Sequence, residues 1–167
     1  MDQTISLDTI VGFLVSTPFF DRLDPAERAE VVRIMEVQRL TDGEEVFHEG
    51  DPGDAWYVIL EGEARVLKDA DGGVRELAVL KHGACVGEMA ILDGEGRSAT
   101  VKAQGALTLL RFRRSRFEGL LDLGSLGAYK LILAMARMLS QRHRRLTAQL
   151  SKTATKGDSV DEYQISE

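Results

Sequence analysis

VGEMAILDGEGRSATV, residues 86–101, runs from a Gly–Glu pair through a short apolar segment and a glycine-rich bend to Arg97-Ser98-Ala99-Thr100. That order suits a pocket for a small anionic sugar phosphate. Glu88 offers an acceptor for a sugar hydroxyl, and Arg97 offers a fork for phosphate oxygens. Small residues on either side let backbone N–H groups approach closely. Met89–Leu92 is expected to make one short helical turn, whose free N–H groups and dipole favour an anion. Glu88 alone would repel a phosphate, so Arg97 and those amides must outweigh it.

Working outward, Gly and Asp punctuate the middle of the chain at Asp42-Gly43, Gly50-Asp51-Pro52-Gly53-Asp54, Glu61-Gly62, Asp71-Gly72-Gly73, His82-Gly83 and Gly94-Glu95-Gly96. They recur roughly every ten residues, the spacing of short strands in a sandwich or barrel. Between them lie EEVFHE, AWYVILEG, EARVLKD, RELAVLK, SATVKAQ and ALTLLRF, each rich in strand-forming residues. EARVLKD and RELAVLK flank Ala70-Asp71-Gly72-Gly73, a hairpin signal. Trp56 and Tyr57 fall in the most apolar of these segments and are expected in the core. Cys85 reads as a small buried hydrophobe. His48 and His82 read as surface or hydrogen-bonded residues.

Helical patterns occupy both ends. Ile5, Ile10, Val11, Leu14 and Val15 fit a short first helix. Asp24 followed by Pro25 and Glu27 is a start signal for a second, with Ala29, Val32, Ile34 and Met35 as its apolar side. Pro18-Phe19-Phe20 before it reads as a hydrophobic elbow. RSRFEGLLDL forms a short helix after the strands, Gly124-Ser125 breaks it, and a long helix follows. The expected organisation is N-terminal helices over 5–40, a β-barrel or roll over 41–112, C-terminal helices over 113–152 and a mobile acidic tail over 153–167, with residues 5–152 as a single domain.

Bulk properties narrow the class. A chain of 167 residues with 44% hydrophobic content can bury one real core. No apolar run approaches the ~18 residues of a membrane span. The N-terminus lacks the basic cluster of a secretory signal. One cysteine cannot form an internal disulfide, which agrees with a cytoplasmic setting. A net charge of −6 does not advertise nucleic-acid binding. Three scattered histidines and one cysteine form no metal-ligand spacing.

The Phe20-x-x-Leu23 step between helices, EEVFHEGDPGDAWYVILEGEARV, GEMAILDGEGRSATV and two C-terminal helices together resemble the cyclic nucleotide-binding domain. This module is shared by the bacterial catabolite activator and the regulatory subunit of the cAMP-dependent kinase. The resemblance covers about residues 13–150 and is most specific in the phosphate-binding cassette, 86–101. It implies an α+β fold: an antiparallel β-roll or jelly-roll barrel (a double-stranded, cupin-like β-helix) flanked by N-terminal helices and a long C-terminal helix. It implies a site made by Gly87, Glu88, Met89, Ala90, Arg97, Ser98, Ala99 and Thr100, with cAMP favoured over cGMP as ligand and neither cofactor nor metal. The chemistry agrees. In a 3′,5′-cyclic nucleotide only the 2′-OH is free, for which Glu88 is an acceptor. The single phosphate charge suits a bidentate Arg97. The family also places the N–H of the residue after the arginine, here Ser98, on the phosphate. Two positions depart from the family pattern: Val86 replaces an aromatic, and Gly96 replaces a proline that would lock the turn.

In the long helix Tyr129, Ile132, Ala136, Leu139, His143, Leu146 and Leu150 follow a 3-4-3-4 spacing, a seam suited to a homodimer through residues 126–150. Leu131, Met135 and Met138 lie on another side, suited to packing on the barrel or over the base. Arg137, Arg142, Arg144 and Arg145 complement the helix dipole. The expectation is a receptor that signals to a protein partner by moving its C-terminal helices, with no DNA-binding segment after them and no paired acid and base for catalysis. The alternative is an interaction or dimerisation module that keeps the fold without nucleotide.

Overall fold

The computed structural model describes residues 5–157. Helix α1 (Leu7–Ser16) begins where the Ser6 hydroxyl accepts the Thr9 N–H at 3.1 Å, satisfying one of the free donors of a first turn. It buries Ile10, Phe13 and Leu14. Helix α2 (Pro25–Ile34) carries a complete capping box, with Asp24 accepting from the Glu27 N–H and Glu27 accepting from the Asp24 N–H.

The helical reading of residues 5–40 fails beyond Ile34. Met35 turns extended, and Met35–Leu40 form strand β1, paired residue by residue with Phe112–Leu107. The six ladder pairings come from a segment more than sixty residues away, so no local signal announces them. They override the helix preference of Met35, Glu36, Gln38, Arg39 and Leu40.

Strands β2 (Glu45–Phe47), β3 (Ala55–Ala70), β4 (Gly73–Leu80), β5 (Cys85–Val86) and β6 (Thr100–Arg113) complete one antiparallel sheet, with the short helix α3 (Met89–Asp93) between the last two. The path runs β1-β6-β3-β4, with β2 also on β6 and β5 on β3. The expected α+β antiparallel roll is what the chain forms. Two breaks expected between strand segments are instead bends. AWYVILEG and EARVLKD are one strand, β3, because Gly62 at φ +88° and a register slip make a bulge where a reversal was read. Gly105 at φ +71° lies within β6 in the same way, joining SATVKAQ and ALTLLRF. A Cβ on Gly62 would lie 2.2 Å from the Ala106 carbonyl oxygen, so the two bends nest.

Residues 55–60 are all buried because this part of the sheet is covered on both faces. Ala55, Tyr57 and Ile59 point into the roll with Leu40, Val46, Val101, Leu107 and Leu109. Trp56 faces the other way and stacks on Phe112 with ring centroids 4.0 Å apart. Phe19 packs on Trp56 and Phe20 on Phe112, so the Pro18-Phe19-Phe20 elbow anchors the N-terminal helices there. Helix α4 (Arg114–Asp122) adds Phe117 to the same cluster. Cys85 is buried, and the His82 ring nitrogen Nδ1 lies 2.6 Å from the Leu60 carbonyl.

Gly124, at φ +76°, separates α4 from helix α5 (Leu126–Gly157). Lys130 at the start of α5 donates to both oxygens of the buried Glu27 carboxylate at 2.7 Å. The chain divides at Ile132–Leu133 into two compact units. Among the described residues the second unit is the remainder of α5. This helix continues to Gly157, five residues into the stretch expected as a mobile tail; the rest of that tail lies outside the described residues. Among the described residues no single helix is long and apolar enough to cross a membrane.

Candidate functional site

Strand β5 ends at Val86, and Gly87 turns the chain toward α3 at φ +80°. Glycine is required here on two counts. The backbone is left-handed, and a Cβ would lie 2.6 Å from Arg97 Nη1. Glu88 follows at the start of α3 and is 2% exposed. Ala90 and Ile91 face inward while Met89 is exposed. Gly94, at φ +76°, ends the helix with its N–H on the Ala90 carbonyl. The expected helical turn is thus present, one residue longer than read.

Two segments remote in sequence hold this loop. Gly53 is buried under α3, and a Cβ on it would fall 2.1 Å from the Ala90 Cβ. The Arg97 N–H donates to the Asp51 carbonyl, and the Gly50 N–H donates to the Arg97 carbonyl, both at 2.9 Å. Gly96 belongs to this clasp, because a Cβ there would be 3.3 Å from the Gly50 carbonyl oxygen. Gly96 thus sits close against the 50–51 segment.

Arg97 is enclosed as Glu88 is, with 1% of its side chain exposed. Nη2 donates to the Ala55 carbonyl at 2.7 Å and to Asp54 Oδ1 at 3.2 Å, and Nη1 donates to the Gly87 carbonyl at 3.2 Å. The guanidinium lies 4.1 Å from the centre of the Phe47 ring, a cation–π contact. Nε is buried and has no partner. Burial pulls the Arg97 pKa down, and the neighbouring Tyr57, Asp54 and Asp51 oppose that shift. Burial also pushes the Tyr57 hydroxyl up. The same carboxylate, Asp54, accepts from Arg111 Nη2 at 2.7 Å through its other oxygen.

The remaining predicted residues divide. Ser98 is exposed, and its carbonyl accepts from Lys68 Nζ at 2.9 Å. Lys68 also pairs with Glu49, which holds that carboxyl below its ordinary value with help from the Asp69 N–H. Ala99 is buried at the edge of the roll. The Thr100 hydroxyl accepts from the Glu49 N–H at 2.9 Å and lies 3.4 Å from His48 Nδ1, so it ties the loop to β2's end. Gly87 and Arg97 thus meet directly, and Glu88 and Ala90 follow Gly87 on α3. Asp54, Phe47, Lys68 and Arg111 join the site unannounced. The Asp-rich turn at 50–54 was a legible sign of Asp54 alone.

With this geometry in view, the chain belongs to the cyclic nucleotide-binding domain family, whose model matches residues 37–123. A cAMP-dependent protein kinase regulatory subunit from Mycosarcoma maydis is 39% identical over 101 residues, covering 60% of this chain and 19% of that one. The chain spans less than a third of the length of the curated relatives it matches. A cyclic nucleotide-binding domain from Methylobacillus flagellatus superposes with a TM-score of 0.76 at 25% identity, over 87% of this chain and 83% of that one. The regulatory domain of Toxoplasma gondii PKA, solved with cAMP, superposes with a TM-score of 0.67 at 27% identity, over 78% of this chain and 48% of that one.

Proposed function

We propose that this chain is a receptor module for a 3′,5′-cyclic nucleotide, with cAMP preferred over cGMP, that signals to a protein partner through its C-terminal helices. The observation that carries the reading is Arg97. The nitrogen Nε of this buried guanidinium has no acceptor, on the loop that also buries Glu88. Burying an unmet donor is costly, and a ligand phosphate supplies what is missing. Glu88 then takes the 2′-OH, and Gly87, Met89, Ala90, Ser98, Ala99 and Thr100 form the surrounding wall. The preference for cAMP draws on the relatives named for it.

A route toward the C-terminal helices starts at Arg114, the first residue of α4. Its N–H donates to the Asp54 carbonyl at 2.7 Å, and its Nη1 donates to the Ala90 carbonyl of α3 at 3.4 Å. A ligand that shifts α3 therefore pulls on the start of α4. Beyond it, Tyr129, Leu146 and Leu150 of the expected seam are exposed and open to a second copy of the chain. The role is regulatory and non-catalytic, in a cytoplasmic setting where Cys85 stays reduced.

The test is thermal unfolding of the purified chain with cAMP and with cGMP. A nucleotide at one hundred times its Kd adds about 2.7 kcal/mol. Intact cAMP recovered afterwards supports a receptor, and release of linear nucleotide overturns it. The second reading, an interaction module without nucleotide, draws on the three protein acceptors Arg97 already has. No shift with either nucleotide at millimolar concentration decides for it.

A further inference from the structure

The inward row of β6 reads Leu107, Leu109, Arg111. The first two fill the roll, and the third sets a charge where the pattern calls for another apolar side chain. The register puts Arg111 directly opposite Tyr57, and 23% of its side chain is exposed. It lines a cleft of about 390 Å³ together with Phe47, Asp54 and Tyr57. A charge in such a place is tolerated only when paired. Its ion-pair partner is Asp54, the carboxylate that also holds Arg97, and the Tyr57 hydroxyl is a further hydrogen-bond neighbour.

The two bonds are unequal. Asp54 Oδ2 meets Arg111 Nη2 at 2.7 Å, whereas Asp54 Oδ1 meets Arg97 Nη2 at 3.2 Å. With both arginines present the three side chains sum to one positive charge. Without Arg111, Asp54 and Arg97 would make a neutral pair. The exposed carboxylate would then be free to turn both oxygens onto the Arg97 fork, the strongest geometry available to it.

We propose that Arg111 is a positioning residue of the nucleotide site: by occupying one oxygen of Asp54 it keeps Arg97 from being neutralised, and so leaves that guanidinium charge for a phosphate. The proposal rests on the receptor reading above. Arg111 touches no ligand in this scheme and acts only through Asp54.

A double-mutant cycle read by calorimetry with cAMP tests it. R111Q should weaken binding about tenfold, a coupling of the size found between groups in one hydrogen-bond network. R111K, which restores a cation, should recover most of that loss. In a D54N background, where there is no carboxylate to divert, R111Q should leave the affinity unchanged within about twofold. Circular dichroism melts of each variant separate a folding defect from a change at the site. An equal loss from R111Q in both backgrounds overturns the proposal, since Arg111 would then act without Asp54. So does an unchanged affinity in the wild-type background. If the unaltered chain binds neither cAMP nor cGMP, the receptor reading falls and this one with it; if it binds and R111Q is silent, this one alone falls.

Discussion

Gly53→Ala isolates the packing that aims the loop, because it changes one methyl group and no charge. The backbone at Gly53 is not left-handed, so alanine meets no conformational strain there. Its Cβ would stand 2.1 Å from the Ala90 Cβ, where ordinary contact begins at 3.4 Å. The shortfall of about 1.3 Å has to be absorbed by α3 or by the 50–54 segment, since a close-packed interior has no slack of that size. Overpacking of this kind costs about 1–3 kcal/mol, which urea unfolding will measure. The segment that moves carries either Glu88 or Asp54, so the site loses its alignment as well. We expect cAMP affinity to fall at least tenfold, about 1.4 kcal/mol, by calorimetry at a temperature where the variant is fully folded. A variant with wild-type affinity and wild-type stability would show that the loop yields freely and that its rigid placement by Gly53 is not what forms the site.

Arg97→Ala should weaken cAMP binding by about 2–5 kcal/mol, because a buried phosphate loses its cation; calorimetry that finds the affinity unchanged removes the assigned pocket. The Glu49 carboxyl should titrate below the ordinary 4.5 by NMR, and Lys68→Met should bring it back up toward that value. A depressed carboxylate contributes stability that is present above its unfolded pKa and lost as the pH falls through its lower folded value, so the loop-holding contact weakens only under acid conditions. Trp56→Ala should cost about 3–5 kcal/mol by chemical unfolding, as a fully buried, stacked aromatic. Trp56→Phe should cost only about 1 kcal/mol, because the Trp56 Nε1–H it removes is buried without a partner. Circular dichroism is the readout for both, Trp56 being the sole tryptophan.

Much of this molecule was legible as text. The α2 capping box, the Asp71-Gly72 hairpin, the helical turn after Glu88 and the stop at Gly124 each depend on residues within about four positions of one another. Such signals survive in any context, and their spacing carried the roll and the Glu88–Arg97 loop. What the chain does at longer range was not written locally. Met35–Leu40 became a strand because β6 lay beside it. Gly62 and Gly105 became bends inside long strands because the sheet had to roll. Arg97 met Asp54 from 43 positions away, and Asp54 met Arg111 from 57. A guanidinium's charge is the same wherever it stands. Which acceptor shares it, and how much is left for a ligand, depends on distances of a few ångströms that exist only after the sheet has closed.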